Sequence, residues 1–156
     1  MANTSPANEK QYAIVLRDVR THYGAVHAVD GVDLKIPQGQ VFGLIGHNGA
    51  GKSTLFKMML GLERPTSGHI TVAGADVAGP NFRAARRKLG YLPENVVLYD
   101  NLSGLETLNF FARLKGASLQ ECPSLLDKVG LSHAGKRAVR EYSKGMRQRL
   151  GFAQAL

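Results

Sequence analysis

"LIGHNGAGKSTLFKMMLG", residues 44–61, decides how this chain is read. Gly46, Gly49 and Gly51 are followed at once by Lys52 and Ser53, between the apolar run "VFGLIG" (41–46) and a helical pattern. From Lys52 onward Leu55, Met58, Met59 and Leu62 recur at helical spacing, Gly61 suits a helix stop, and Pro65 blocks continuation. Gly46–His47–Asn48–Gly49–Ala50–Gly51–Lys52–Ser53 fits G-x-x-x-x-G-K-[ST]. Each fixed residue type has a chemical reason. Glycines let the backbone curl so that successive N–H groups point at phosphate oxygens. The helix opening near Lys52 adds its positive end to the same anion. Lys52 reaches the β- and γ-phosphates, the Ser53 hydroxyl ligates Mg²⁺, and Thr54 adds a backbone N–H. The expected ligand is a nucleotide triphosphate.

Working outward, "YAIVLRDV" (12–19), "VDGVDLKI" (29–36) and "HITVAG" (69–74) read as strands, and 41–46 as a buried parallel strand feeding the glycine loop. "THYGAVHA" lies between the first two strands, and "KLGYLP" (88–93) is a further apolar run halted by Pro93. Ser103 with Glu106 predicts a capping box ahead of Leu105, Leu108 and Phe111. Pro123 predicts a helix start that runs through Leu125, Leu126 and Val129 and stops at Gly130. "SKGMRQRLGFAQAL" opens a last helix at Ser143. Strands followed by alternation with helices make the fold class α/β.

The 156 residues suffice for one domain with a modest core, and a hydrophobic fraction of 44% is that of a globular chain. The formal charge of +8 admits anionic partners or a solvated basic surface, and 135–149 carries six Lys and Arg against Glu141 alone. Cys122 is single, which excludes a disulfide framework. Five His without metal-ligand spacing predict no structural transition metal. The first residues are polar and no apolar run reaches the ~20 residues of a membrane helix, so a soluble or peripheral protein is expected.

Four stretches, "HYGAVHAV", "GHNGAGKST", "GYLPEN" and "YSKGMRQRLGFAQAL", come in an order and spacing that resemble the successive motifs of ABC-transporter ATP-binding subunits. The resemblance covers about Tyr12 to Leu156 and implies the ABC-type P-loop nucleotide-binding fold: an N-terminal β subdomain, a RecA-like core and a helical subdomain over about 95–142, with the signature helix from 143 and a loose tail over 1–11. Within the family, "GYLPENVVLYDNLSGLETLNFFARLKG" is most similar to the subunits that serve copper insertion into nitrous oxide reductase.

By that resemblance Tyr23 stacks on adenine with Ala28 nearby, and Glu94 stands where a Mg²⁺-ligating glutamine is usual. The plain alternatives are a strand-end tyrosine and a surface acid. Tyr142–Ser143–Lys144–Gly145–Met146 stands at the signature loop, usually L-S-G-G-Q; Ser143 and Gly145 match, while Tyr142, Lys144 and Met146 depart. In the family this loop meets the γ-phosphate held by a second subunit, so ATP joins a head-to-tail dimer. The implied cofactors are ATP and Mg²⁺, and the implied partners a second ATP-binding subunit and a membrane permease, at the cytoplasmic face of the cell membrane, with no nucleic acid. The alternatives are a nucleotide-binding module without hydrolysis and a DNA-handling ABC ATPase, the latter lacking a long heptad insertion.

Hydrolysis also needs an acid at the end of a buried strand to hold Mg²⁺ and a group to position water. The family places these, and a histidine, after the signature helix, so they are expected beyond Leu156 and the 156-residue chain is expected to bind nucleotide weakly without turnover. Asp100, after "VVLY", is the best internal substitute and a poor one, because Asn101 and a capping box follow it.

Overall fold

The computed structural model describes residues 11–156. The tail expected over 1–11 therefore lies outside the described residues, apart from Gln11, whose carbonyl accepts from the Gln38 N–H at 3.0 Å. Two compact units follow, the first ending at Lys88 and the second spanning Leu89–Leu156.

In the first unit β1 (Tyr12–Tyr23) and β2 (Val26–Pro37) form a long hairpin, and β3 (Ser67–Val72) and β4 (Ala75–Asp76) extend it, all antiparallel in the order β2-β1-β3-β4. β1 reads Ile14–Leu16 and Val19 as β-branched or aliphatic positions that pack, and Val15, Leu16 and Val19 are buried. Helix α1 (Lys52–Met59) lays Leu55, Met58 and Met59 inward, one stripe at helical spacing. The Thr21 hydroxyl donates to the Met58 sulfur at 2.9 Å, tying helix to hairpin. Leu62, expected in the helical pattern, lies past the end of α1, because Gly61 turns left-handed at φ 66°.

Two expectations fail here. "THYGAVHA" is not a connector: Thr21, His22 and Tyr23 pair with Val29, His27 and Val26, so the hairpin closes over Gly24–Ala25. His22 and His27 are thereby brought face to face, which the reading of scattered histidines missed. The buried parallel strand over 41–46 is also absent among the described residues. Val41 and Ile45 are fully exposed, and no strand flanks this segment. A strand needs a ladder partner on at least one side, and an apolar run without one neither pairs nor buries.

The second unit is helical. α2 (Phe82–Arg86) precedes it, and α3 (Gly104–Lys115), α4 (Cys122–Lys128) and α5 (Lys144–Ala155) pack around Leu108, Leu126, Leu131, Val139, Tyr142 and Leu150. The expected capping box is present: the Glu106 N–H donates to Ser103 Oγ, and the Ser103 N–H to Glu106 Oε2. α4 begins one residue before Pro123, after a 3₁₀ turn at Leu119–Glu121, and ends before Gly130 as expected.

Candidate functional site

The glycine loop runs from Gly46 into the first turn of α1. Ala50 N–H donates to His47 O and Leu55 N–H to Gly51 O, so the chain turns once and enters the helix. Gly51, the residue before α1, has φ 78°, a left-handed conformation that suits glycine. A Cβ there would stand 2.2 Å from the Ala28 carbonyl oxygen, so the loop rests directly on the bulged part of β2. Ala28, which the resemblance assigns beside the adenine-stacking Tyr23, meets the loop here through its backbone carbonyl.

The helix start carries neither an acidic residue nor a side-chain cap. The first N–H groups of a helix have no intrahelical acceptor, so Lys52, Ser53 and Thr54 present donors at the positive end of α1. The Lys52 ammonium curls back over the loop and donates to Gly46 O at 2.6 Å and His47 O at 2.7 Å. His47 Nδ1–H donates to Asn48 O at 2.9 Å, which keeps this imidazole along the loop rim. Asn48, Gly49 and Ser53 are exposed. A lysine beside the three N–H groups of a helix start can hold a multiply charged anion, with the exposed Ser53 hydroxyl available to a hard cation. Tyr23 stands at the hairpin end in the same unit, paired with Val26 and half exposed.

Glu94 and residues 143–146 belong to the second unit. Glu94 is exposed in an irregular stretch. Ser143 caps α5 by accepting from Met146 N–H at 3.2 Å, and Lys144 and Gly145 form the first turn. The nearest atom to a Cβ on Gly145 would be Ser143 Oγ at 4.0 Å, so nothing among the described residues excludes a side chain there. Tyr142, which departs from the usual motif, is buried and donates its hydroxyl to Ala134 O at 2.7 Å. Burial pushes the phenol pKa up, against a smaller lowering by Arg137. This tyrosine anchors the loop that carries Ser143, a role no local sequence signal announces. Asp100 pairs with Arg147 of α5 at 2.7 Å, so its carboxylate fastens the same helix from the other side. That ion pair argues against Asp100 as a magnesium ligand.

Comparison with known proteins then bears on the whole chain. The ABC transporter family model matches residues 29–156. The bacitracin transport ATP-binding protein BcrA of Enterococcus faecalis is 37% identical over 147 residues, covering 94% of this chain and 47% of its own length. The lantibiotic transport ATP-binding protein SrtF of Streptococcus pyogenes is 39% identical over 141 residues, with 90% and 60% covered. A solved structure of an ATP binding subunit of an ABC transporter superposes with a TM-score of 0.78 at 33% identity, covering 91% of this chain and 60% of that one. The chain thus spans about half the length of the relatives it matches. Its fold is the ABC-type P-loop nucleotide-binding fold, with mixed helices and an antiparallel sheet. A glycine loop seated on a hairpin, a helical unit ending in a serine-capped helix, and matches that run through both units lead to one conclusion: the chain belongs to the ABC transporter family.

Proposed function

We propose that this chain is the ATP-holding part of the energy-coupling subunit of an ABC transporter. The observation that carries the reading is the uncapped start of α1, with Gly51 seated left-handed against the Ala28 carbonyl and the Lys52 ammonium folded onto the Gly46 and His47 carbonyls. In this reading Gly46–Thr54 cradles the phosphates of ATP, Ser53 ligates Mg²⁺, and Tyr23 stacks on adenine. ATP hydrolysis is proposed for the complete dimer; among the described residues Asp100 pairs with Arg147 and is not assigned the catalytic step.

Ser143–Met146 reaches the γ-phosphate held by a second subunit. Gly145 supports this, because glycine near a helix start costs up to about 1 kcal/mol against alanine and no contact in the chain requires it. A membrane permease docks on the second unit, where Tyr91, Pro93, Val97, Leu98 and Phe111 line a shallow groove close in sequence to Glu94. Val97 and Tyr99 are exposed apolar residues of the kind that mark a partner surface. No helix among the described residues is long and apolar enough to cross a membrane, which suits a subunit peripheral to the inner face. For cargo, the relatives' names, bacitracin and lantibiotic transport and daunorubicin or doxorubicin resistance, favour an antibiotic or drug; copper for nitrous oxide reductase rests on motif wording alone.

Titration of the chain with a fluorescent ATP analogue in Mg²⁺ tests the reading. Lys52→Ala removes a charged donor worth about 1.5–3 kcal/mol, hence roughly 10- to 100-fold in affinity. Tyr23→Ala should weaken ATP about tenfold and leave inorganic triphosphate unchanged. Equal ATP binding by wild type and Lys52→Ala would refute the phosphate-loop assignment.

A further inference from the structure

We infer that His22, His27 and Asp30 form a site for a zinc-type divalent cation on the β1–β2 hairpin. The geometry comes from strand register. Thr21 pairs with Val29 and His22 with His27, so β2 spends one extra residue, Ala28, between them. Side chains on a strand alternate between faces, and residues 27 and 30 would ordinarily point to opposite sides. The bulge at Ala28 resets the alternation. Val29 then packs into the core with Thr21, while His27 and Asp30 share the face of His22.

One ligand atom from each of the three side chains lies within 4.8 Å of the others. The two imidazoles stand directly opposite, with ring centroids 4.1 Å apart and planes inclined at 42°. His22 Nε2 is buried and has no hydrogen-bond partner. A buried polar nitrogen in that state calls for an explanation, and a cation is one that a neutral imidazole is made to satisfy. The His22 backbone is fixed, its N–H donating to Thr66 Oγ1 at 3.1 Å. His27 is exposed and free to adjust its rotamer.

Zinc takes imidazole nitrogen and carboxylate oxygen at about 2.0–2.2 Å in tetrahedral geometry, so two ligands on one ion stand roughly 3.4 Å apart. Atoms within 4.8 Å of one another must close by up to about 1.4 Å to reach that set, a movement that turning the exposed His27 side chain supplies. Two nitrogens and one carboxylate suit zinc, with copper(II) and nickel(II) as chemical competitors and magnesium disfavoured. The charged groups around the site are Asp18, Arg20 and Asp30. The Arg20 guanidinium holds Asp30 Oδ1 and Asp18 Oδ1. Asp30 keeps its second oxygen for the ion, and the nearby cation makes it the weakest of the three ligands. The site uses no residue of the glycine loop, but Tyr23 and Ala28 adjoin its histidines, so the metal titration is carried out without nucleotide.

The test is titration of the metal-stripped chain with zinc chloride by calorimetry, with bound Co²⁺ absorption as the check on coordination by nitrogen. One ion per chain is expected. Loss of an outer-shell partner typically costs 10- to 100-fold in metal affinity, so loss of a ligand, His27→Ala or His22→Ala, should cost at least about 100-fold. Asp30→Asn should cost less than either, and His133→Ala nothing. His27 is exposed, so its variant remains informative if His22→Ala disturbs the hairpin. Absence of stoichiometric zinc uptake by the wild type, or uptake undiminished in His27→Ala, would overturn the assignment.

Discussion

Replacing Gly51 by alanine puts two separate demands on one position, and Gly49 isolates the first of them. Both glycines are left-handed, at φ 78° and 86°. Each alanine variant therefore meets the left-handed strain of an L-residue, about 1–2 kcal/mol, and each loses the same unfolded-chain freedom. The surroundings differ. A Cβ on Gly49 meets nothing within 4 Å, whereas one on Gly51 meets the Ala28 carbonyl oxygen at 2.2 Å and Val29 Cγ2 at 3.2 Å. The obstacle is backbone of a paired strand, so relief requires moving the loop off the hairpin; forced overpacking of this kind costs about 1–3 kcal/mol. Gly51→Ala should thus lose about 2–5 kcal/mol and Gly49→Ala only about 1–2. Urea unfolding followed by far-UV circular dichroism reads the difference. With a slope of about 1–3 kcal/mol per molar, the two midpoints should part by on the order of 1 M. Nucleotide affinity should fall further in Gly51→Ala, since a displaced loop no longer aims its N–H groups. Coincident midpoints would refute the claim that the loop is seated on Ala28.

Three further outcomes follow from the second unit. Tyr142→Phe removes the hydroxyl that donates to Ala134 O, a carbonyl that also accepts from Arg137 N–H, so the loss should be near 1 kcal/mol in thermal or urea unfolding. Gly145→Ala should raise stability by about 0.5–1 kcal/mol, since the site has room and alanine is the better helix former, while weakening nucleotide-driven dimer formation measured by light scattering. Glu106 has its pKa lowered, chiefly by the Ser103 N–H donated to its carboxylate and then by the Ser103 hydroxyl. A depressed folded-state value contributes stability fully present above the ordinary 4.5 and lost as pH falls below it through the folded value. Glu106→Gln should therefore flatten the acid limb of a stability-versus-pH curve, and an unchanged limb would show that the capping box carries no linkage.

What the sequence by itself determined was whatever short-range chemistry specifies. The glycine loop and α1 were legible because glycine, lysine and an apolar stripe act within a few residues of one another. Ser103 with Glu106, and Ser143 ahead of Met146, were legible for the same reason: a cap and its N–H donor are three residues apart. Tertiary structure decided what depends on partners distant along the chain. Whether 41–46 becomes a strand depends on a neighbouring ladder, which apolar character does not supply. His22, His27 and Asp30 share a face only because the hairpin register places a bulge at Ala28, and one residue of slip would separate them. Asp100 against Arg147, Tyr142 against Ala134 and Gly51 against the Ala28 carbonyl are likewise contacts between segments that no local pattern couples. Periodicity and capping report on a residue's own turn or strand, whereas register and packing are settled by which segments the folded chain sets side by side.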